Sequence, residues 1–138
     1  VSFDMERPYN VCGGMQDNYD WCGPSQSRAQ QGIYNHEFFQ IQGGDGFQAV
    51  QDLRDSRIVY TESQDGNITR KNRVTGDSKS IRPSPANTTD TQGGGAYRFH
   101  WDTPLQFSAA SQSPAEGRHS TVFAAKASEG QVAPLPVQ

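Results

Sequence analysis

The sequence predicts an all-β chain of antiparallel, four-stranded, blade-like sheets, followed by a loosely ordered C-terminal tail. Three observations carry this. A motif recurs: Val11-Cys12-Gly13-Gly14-Met15-Gln16-Asp17-Asn18 returns as Val59-Tyr60-Thr61-Glu62-Ser63-Gln64-Asp65-Gly66, 48 residues later, with Val, Gln and Asp matched at the same offset. Short runs rich in β-branched and aromatic residues alternate with Gly, Asn and Asp, the punctuation of strands and tight turns. No segment before Ala109 keeps a helical period of 3.6 residues.

A repeat in the forties is too long for one hairpin and suits a four-stranded propeller blade. A propeller needs roughly four to eight blades to close. At one blade per 48 residues, a chain of 138 holds fewer than three. The expectation is an incomplete β-propeller of about two blades over residues 1–108, a fragment of something larger. Residues 109–138 form a low-complexity Ala/Ser/Pro tail, expected to be disordered.

In chain order, the first expected strand is 9–15, followed by 33–41 (Ile-Tyr-Asn-His-Glu-Phe-Phe-Gln-Ile), which is apolar at both ends. Next come 47–53 and the clearest, 57–62 (Arg-Ile-Val-Tyr-Thr-Glu). Strand 67–74 pairs with 79–82 across Thr75-Gly76-Asp77, a common hairpin composition. Segment 96–101 alternates, with Tyr97, Phe99 and Trp101 on one face. Residues 84–95, with Pro85 and Gly93-Gly94-Gly95, read as polar loop. A short helix near 121–128 is the one helical candidate, and isolated helices of that length are marginal in water.

Composition narrows the function classes. Only 33% of residues are hydrophobic and the mean hydropathy is −0.81, so the core is thin. Two Trp, five Tyr and seven Phe nevertheless argue for order in the first part of the chain. A net charge of −3 offers no field for a polyanion. The cluster Arg70-Lys71-Asn72-Arg73 reads as a solvated strand face, so no nucleic-acid partner is expected. No apolar stretch approaches the length of a membrane span. No signal peptide is visible, and the chain opens on Val1.

Cys12 and Cys22 flank a turn-rich loop, 13–21. If the flanks return antiparallel, a disulfide is sterically reasonable and would contribute about 2–3 kcal/mol in an oxidising compartment. Two ordinary buried thiols fit the sequence equally. His36, His100 and His119 show no ligand spacing near either cysteine, so no metal is expected. No cofactor motif is present. Asn67-Ile68-Thr69 and Asn87-Thr88-Thr89 fit the N-glycosylation sequon, which has meaning only in a eukaryotic secreted protein.

Several segments together resemble a known family. They are Pro8 through Asn18 with Trp21 and Gly23-Pro24-Ser25, Gly43-Gly44-Asp45-Gly46-Phe47, Val59-Tyr60 with Ser63-Gln64-Asp65-Gly66, and Phe99-His100-Trp101-Asp102-Thr103-Pro104. In order and spacing they are similar to the sortilin-like, BNR-repeat β-propellers of the bacterial glycosyl hydrolase type. The resemblance covers roughly residues 1–108. It implies a secreted or periplasmic protein involved in carbohydrate binding or hydrolysis. Two departures stand against it: the Ser-x-Asp-x-Gly-x-x-Trp signature of sialidases is absent, and the tail replaces a further blade.

Glycoside hydrolysis requires two carboxylates flanking the scissile bond. The candidates are Asp17, Asp20, Asp45, Asp65 and Asp102, with Asp17 and Asp45 the assigned catalytic pair. Gln16, Asn18, Trp21, Gln64, Asp65 and Arg70 are the assigned binding residues. Repeat symmetry argues the other way, because Asp17 and Asp65 occupy equivalent positions and Asp readily forms turns. Trp21, read as a loop residue, is the candidate sugar-stacking platform, whereas Trp101 reads as core filler. Three functions therefore stay open: a carbohydrate-binding fragment, a hydrolase, and a module that pairs its open sheet edges with a protein partner or with itself.

Overall fold

The computed structural model describes residues 1–82 and 99–107 and two further strands at 122–125 and 132–134. Two four-stranded antiparallel sheets dominate it, and the only helical elements among the described residues are two 3-10 turns. The first sheet runs in chain order through β1 (Ser2–Phe3), β2 (Asn10–Gly14), β3 (Asp20–Pro24) and β4 (Phe39–Gln42). The second repeats that order with β5 (Gly46–Gln51), β6 (Ile58–Ser63), β7 (Asn67–Asn72) and β8 (Ser78–Ser80). A third sheet joins β9 (Leu105–Phe107) to β10 (Val122–Ala125) and β10 to β11 (Val132–Pro134).

The sequence repeat is a structural repeat. β2 and β6 carry its two copies, and each is the second strand of its sheet. The rung Gly14↔Asp20 in the first sheet corresponds, at the offset of 48, to Glu62↔Ile68 in the second. Both copies of Gln-Asp then enter the turn to the third strand. Asp17 has φ 64° and Asp65 φ 62°, the left-handed region that a short polar side chain tolerates. Turn formation is therefore what the shared Asp does.

The sheets stack face to face. Cys12, Cys22 and Ile41 of the first sheet bury against Ala49 and Val59 of the second. The other face of the second sheet buries Ile58, Tyr60 and Ile68 with Ile81 and Leu105, and Phe99 and Phe107 close the edge. β6 is thus covered on both sides and buried along its whole length. Its alternation sends Ile58, Tyr60 and Glu62 one way and Val59, Thr61 and Ser63 the other.

Several expectations need correction. Trp21 lies on β3, not in a loop, and that strand and β1 had no sequence signal. The expected strand 33–41 begins with a 3-10 turn, Asn35–Glu37, and only Phe39–Gln42 is extended. Phe99 to Trp101 is not strand, while the rest of that expected element lies outside the described residues. Where a short helix was expected, Val122–Ala125 is strand. The loop at 84–95, the Asn87 sequon and most of the tail also lie outside the described residues.

Cys12 and Cys22 are joined by a disulfide, directly opposite each other on β2 and β3 with Cα atoms 4.1 Å apart. No helix among the described residues is long and apolar enough to cross a membrane.

Candidate functional site

In a meander, alternate connections fall at the same end. The β2–β3 turn, the β4–β5 link, the β6–β7 turn and the segment leading into β9 therefore gather at one end of the stack. This end carries most of the assigned residues, and hydrogen bonds between loops lock it. The Asp17 N–H donates to Asp45 Oδ1 at 3.0 Å, and the Asp45 N–H donates to Gln64 Oε1 at 2.8 Å. The Gly46 N–H reaches the Met15 carbonyl at 3.2 Å, and the Asp65 N–H reaches the Trp101 carbonyl at 3.2 Å. Gly44, at φ +89°, leaves the space that the Gln64 amide fills.

Asp17 and Asp45 are thus brought together, but as the turn residue that donates its N–H and the carboxylate that accepts it in one staple. Gln64 serves the same staple, and Asp65 is an exposed left-handed turn residue. Asn18 steadies its own turn, its side chain donating to the Gln16 carbonyl and its carbonyl accepting the Trp21 indole N–H at 2.6 Å. Gln16 is exposed and lines a polar cleft of about 460 Å³ with Ser2, Gly46, Gln48 and Asp102.

Trp21 and Arg70 lie elsewhere. Trp21 points to the outer face of the first sheet, where it lines an open apolar groove of about 510 Å³ with Val1, Val11, Met15 and Phe38. The Arg70 guanidinium meets the buried Tyr60 hydroxyl and lies within electrostatic reach of Asp55, in the β5–β6 turn at the opposite end. Trp101, expected in the core, is 45% exposed at the turn end, its ring packed edgewise on Phe47 at 6.3 Å.

Beneath the loops lie two buried acids. Asp20 faces the layer between the first and second sheets, fully buried, and neither of its oxygens has a hydrogen-bond partner among the described residues. It occupies a slot left by two glycines: a Cβ on Gly46 would stand 2.6 Å from Asp20 Oδ1, and one on Gly14 would overlap it. Glu62 faces the next layer. Its Oε1 accepts the N–H of Thr103 at 3.1 Å and of Gly66 at 3.3 Å, while Oε2 is buried without a partner. Burial pushes the Asp20 carboxyl up to about 7. Burial likewise raises Glu62, to about 8, with Asp102 and Asp20 adding to the rise and the two backbone N–H bonds opposing it.

No family model, curated protein or solved structure matches this chain.

Sequence reasoning counted Asp20 only among the candidate carboxylates and passed over Glu62. The signal was present, since Glu62 interrupts the apolar run Ile58-Val59-Tyr60 just before the turn, where the first copy of the repeat has Gly14. Among the described residues, no group of three or more His, Cys, Asp or Glu side chains is arranged to hold a metal ion.

Proposed function

We propose that the two four-stranded sheets are consecutive blades of a β-propeller of the sortilin-like kind, and that their turn end is a carbohydrate-binding face. One observation carries the reading: two meanders of identical strand order, their second strands and Gln-Asp turns offset by 48 residues, stack so that those turns meet at one end. Carbohydrate recognition needs an apolar ring face for sugar C–H groups beside planar polar groups for paired hydroxyls. Trp101, braced by Phe47, adjoins Asp102 on the cleft that holds Gln16 and Gln48. A secreted or periplasmic location fits this reading, and the Cys12–Cys22 disulfide is compatible with it.

Binding is favoured over hydrolysis. Asp45 Oδ1 is engaged by the Asp17 N–H. The two acids raised toward a general acid's range, Asp20 and Glu62, are fully buried, out of reach of a scissile bond. Calorimetric titration of the chain with neutral oligosaccharides chosen from a glycan microarray tests this. Trp101→Ala and Asp102→Asn are each expected to weaken binding by about tenfold or more. No glycan bound, or binding indifferent to both changes, refutes the carbohydrate assignment.

A second reading, docking of a further sheet or protein partner, rests on a separate observation. The outer face of the first sheet presents its apolar groove, and Phe3, Met5 and Tyr9 are exposed nearby. Light scattering across a wide dilution range tests for self-association, and a constant monomer removes that form of it.

A further inference from the structure

Asp20 and Glu62 occupy equivalent rungs of successive sheets, Gly14↔Asp20 and Glu62↔Ile68, with the acid moved from the third strand to the second. Each is wedged where one layer meets the loops of the next. Asp20 lies against Gly14 and Gly46, which also line the polar cleft, and Glu62 holds the Thr103 N–H next to the cleft residue Asp102. We propose that the turn end is a pH-sensitive clamp, closed while the carboxyls of Asp20 and Glu62 are protonated and loosened when both ionise.

The geometry suits the neutral acids. An ionised carboxylate buried without donors is strongly disfavoured, whereas a protonated one has less charge to solvate. Asp20 has no donor at either oxygen among the described residues, while Glu62 Oε1 accepts two backbone N–H groups that favour its ionised form; its Oε2 is buried without a partner, and burial outweighs those two bonds. The charged groups acting on Glu62 are Asp102 and Asp20, both acidic. Tyr19 and Asp45 flank the Asp20 slot, and Asp17 and Asp65 lie on the adjoining turns. His100 is the nearest imidazole on the covering segment, and its Nδ1 is engaged by the Asp102 backbone. Arg82 stands over the Phe99 ring that packs on Gly66, and is a cation of this end. Ionisation therefore adds two negative charges to an end where acidic groups outnumber it. Burial raises both carboxyls, Asp20 to about 7 and Glu62 to about 8, so the clamp works across neutrality.

The direction follows from linkage. The closed state keeps protons that the open state, with ordinary carboxyls near 3.8 and 4.5, gives up. Closure is thus fully favoured below that range and lost as pH rises through about 7 and then about 8.

Amide hydrogen exchange on the full chain, corrected for the intrinsic pH dependence of exchange, reads the clamp without any ligand. Protection at Gly46 and Asp65, whose N–H groups tie one loop to the next, is expected to fall by at least about tenfold from mildly acidic to mildly alkaline pH. Protection at Asp52 and Arg73, at the opposite end, is expected to stay level. The double change Asp20→Asn and Glu62→Gln keeps the shape and removes the charge, and should flatten the profile. A native profile without pH dependence, or the same dependence in the double variant, overturns the proposal. If the double variant does not fold, the infrared band of protonated carboxyls in the native chain decides. A band that disappears together with amide protection supports the clamp, and its absence at mildly acidic pH refutes it.

Discussion

The two layers of this molecule hold together by different means. Between the second sheet and the β9 segment lie large side chains: Ile58, Tyr60, Ile68, Ile81 and Leu105, with Tyr60 and Phe107 packed edge to face at 5.5 Å. Between the first and second sheets the buried apolar side chains among the described residues are Cys12, Cys22, Ala49 and Val59 with Ile41 and no aromatic ring, and polar links take over. Ser2 Oγ donates to the Ala49 carbonyl at 2.6 Å and accepts the Gln51 N–H, while the Gln51 amide reaches the Asn10 carbonyl at 3.0 Å. The buried Asp4 pairs with Arg73 at 3.1 Å and accepts the Asn10 side chain and backbone N–H. With only 33% hydrophobic residues, the chain concentrates apolar bulk in one layer and staples the other.

The largest effect should come from the apolar layer. Tyr60→Ala is expected to cost about 3–5 kcal/mol in urea denaturation. A cost below about 1 kcal/mol would erase the contrast. In the stapled layer, replacing Cys12 and Cys22 together by Ser should cost about 2–3 kcal/mol. The loss should match that seen when the native chain is denatured in reductant, and a mismatch would mean the serines introduce a defect of their own.

The glycine slot gives a sharper local test. Gly14→Ala drives a Cβ into Asp20 Oδ1 and the backbone of Gly46 and Phe47, and should cost about 1–3 kcal/mol through overpacking. A Cβ on its neighbour Gly13 would meet only Val1, nearest at Cγ2, 3.4 Å away, so Gly13→Ala should stay within about 0.5 kcal/mol. Equal costs for the two would show that Asp20 is not held in a tight slot. The layers should also titrate apart. The urea midpoint should fall as pH rises above the ordinary carboxyl values of 3.8 and 4.5, and the decline should end in two breaks, near 7 and near 8, with Asp20→Asn removing the lower and Glu62→Gln the upper. Removal of both breaks by either change alone would mean the carboxyls titrate as one coupled unit.

What could be read in advance follows the same division. β2, β5, β6 and β7 were legible because their apolar runs are bounded by turn-formers, and the 48-residue offset placed β2 and β6 in equivalent positions. β3 was not, since Asp20-Trp21-Cys22-Gly23-Pro24 has the composition of a loop. It is a strand because Gly23 gives the Phe38 ring room to cover it and Cys22 is tied to Cys12. At the site, the turn role of Asp17 and Asp65 was legible from the repeat. The burial of Asp20 and Glu62 was not, because it depends on which loops close over them. Trp101 was misread for the same reason: its one ring contact among the described residues, with Phe47, comes from a residue distant in sequence and leaves it half exposed.

The disulfide also has a mechanical consequence. Consecutive antiparallel strands pulled from the two chain ends separate by peeling, one rung at a time. The bridge removes from that extension the chain between Cys12 and Cys22, ten residues apart in sequence. This conceals about 30 Å of contour length, at roughly 3.3–3.6 Å per extended residue. Single-molecule stretching of the oxidised chain should end short of the reduced one by that length, so the bond sets how far the first sheet can be drawn out as well as how firmly it folds.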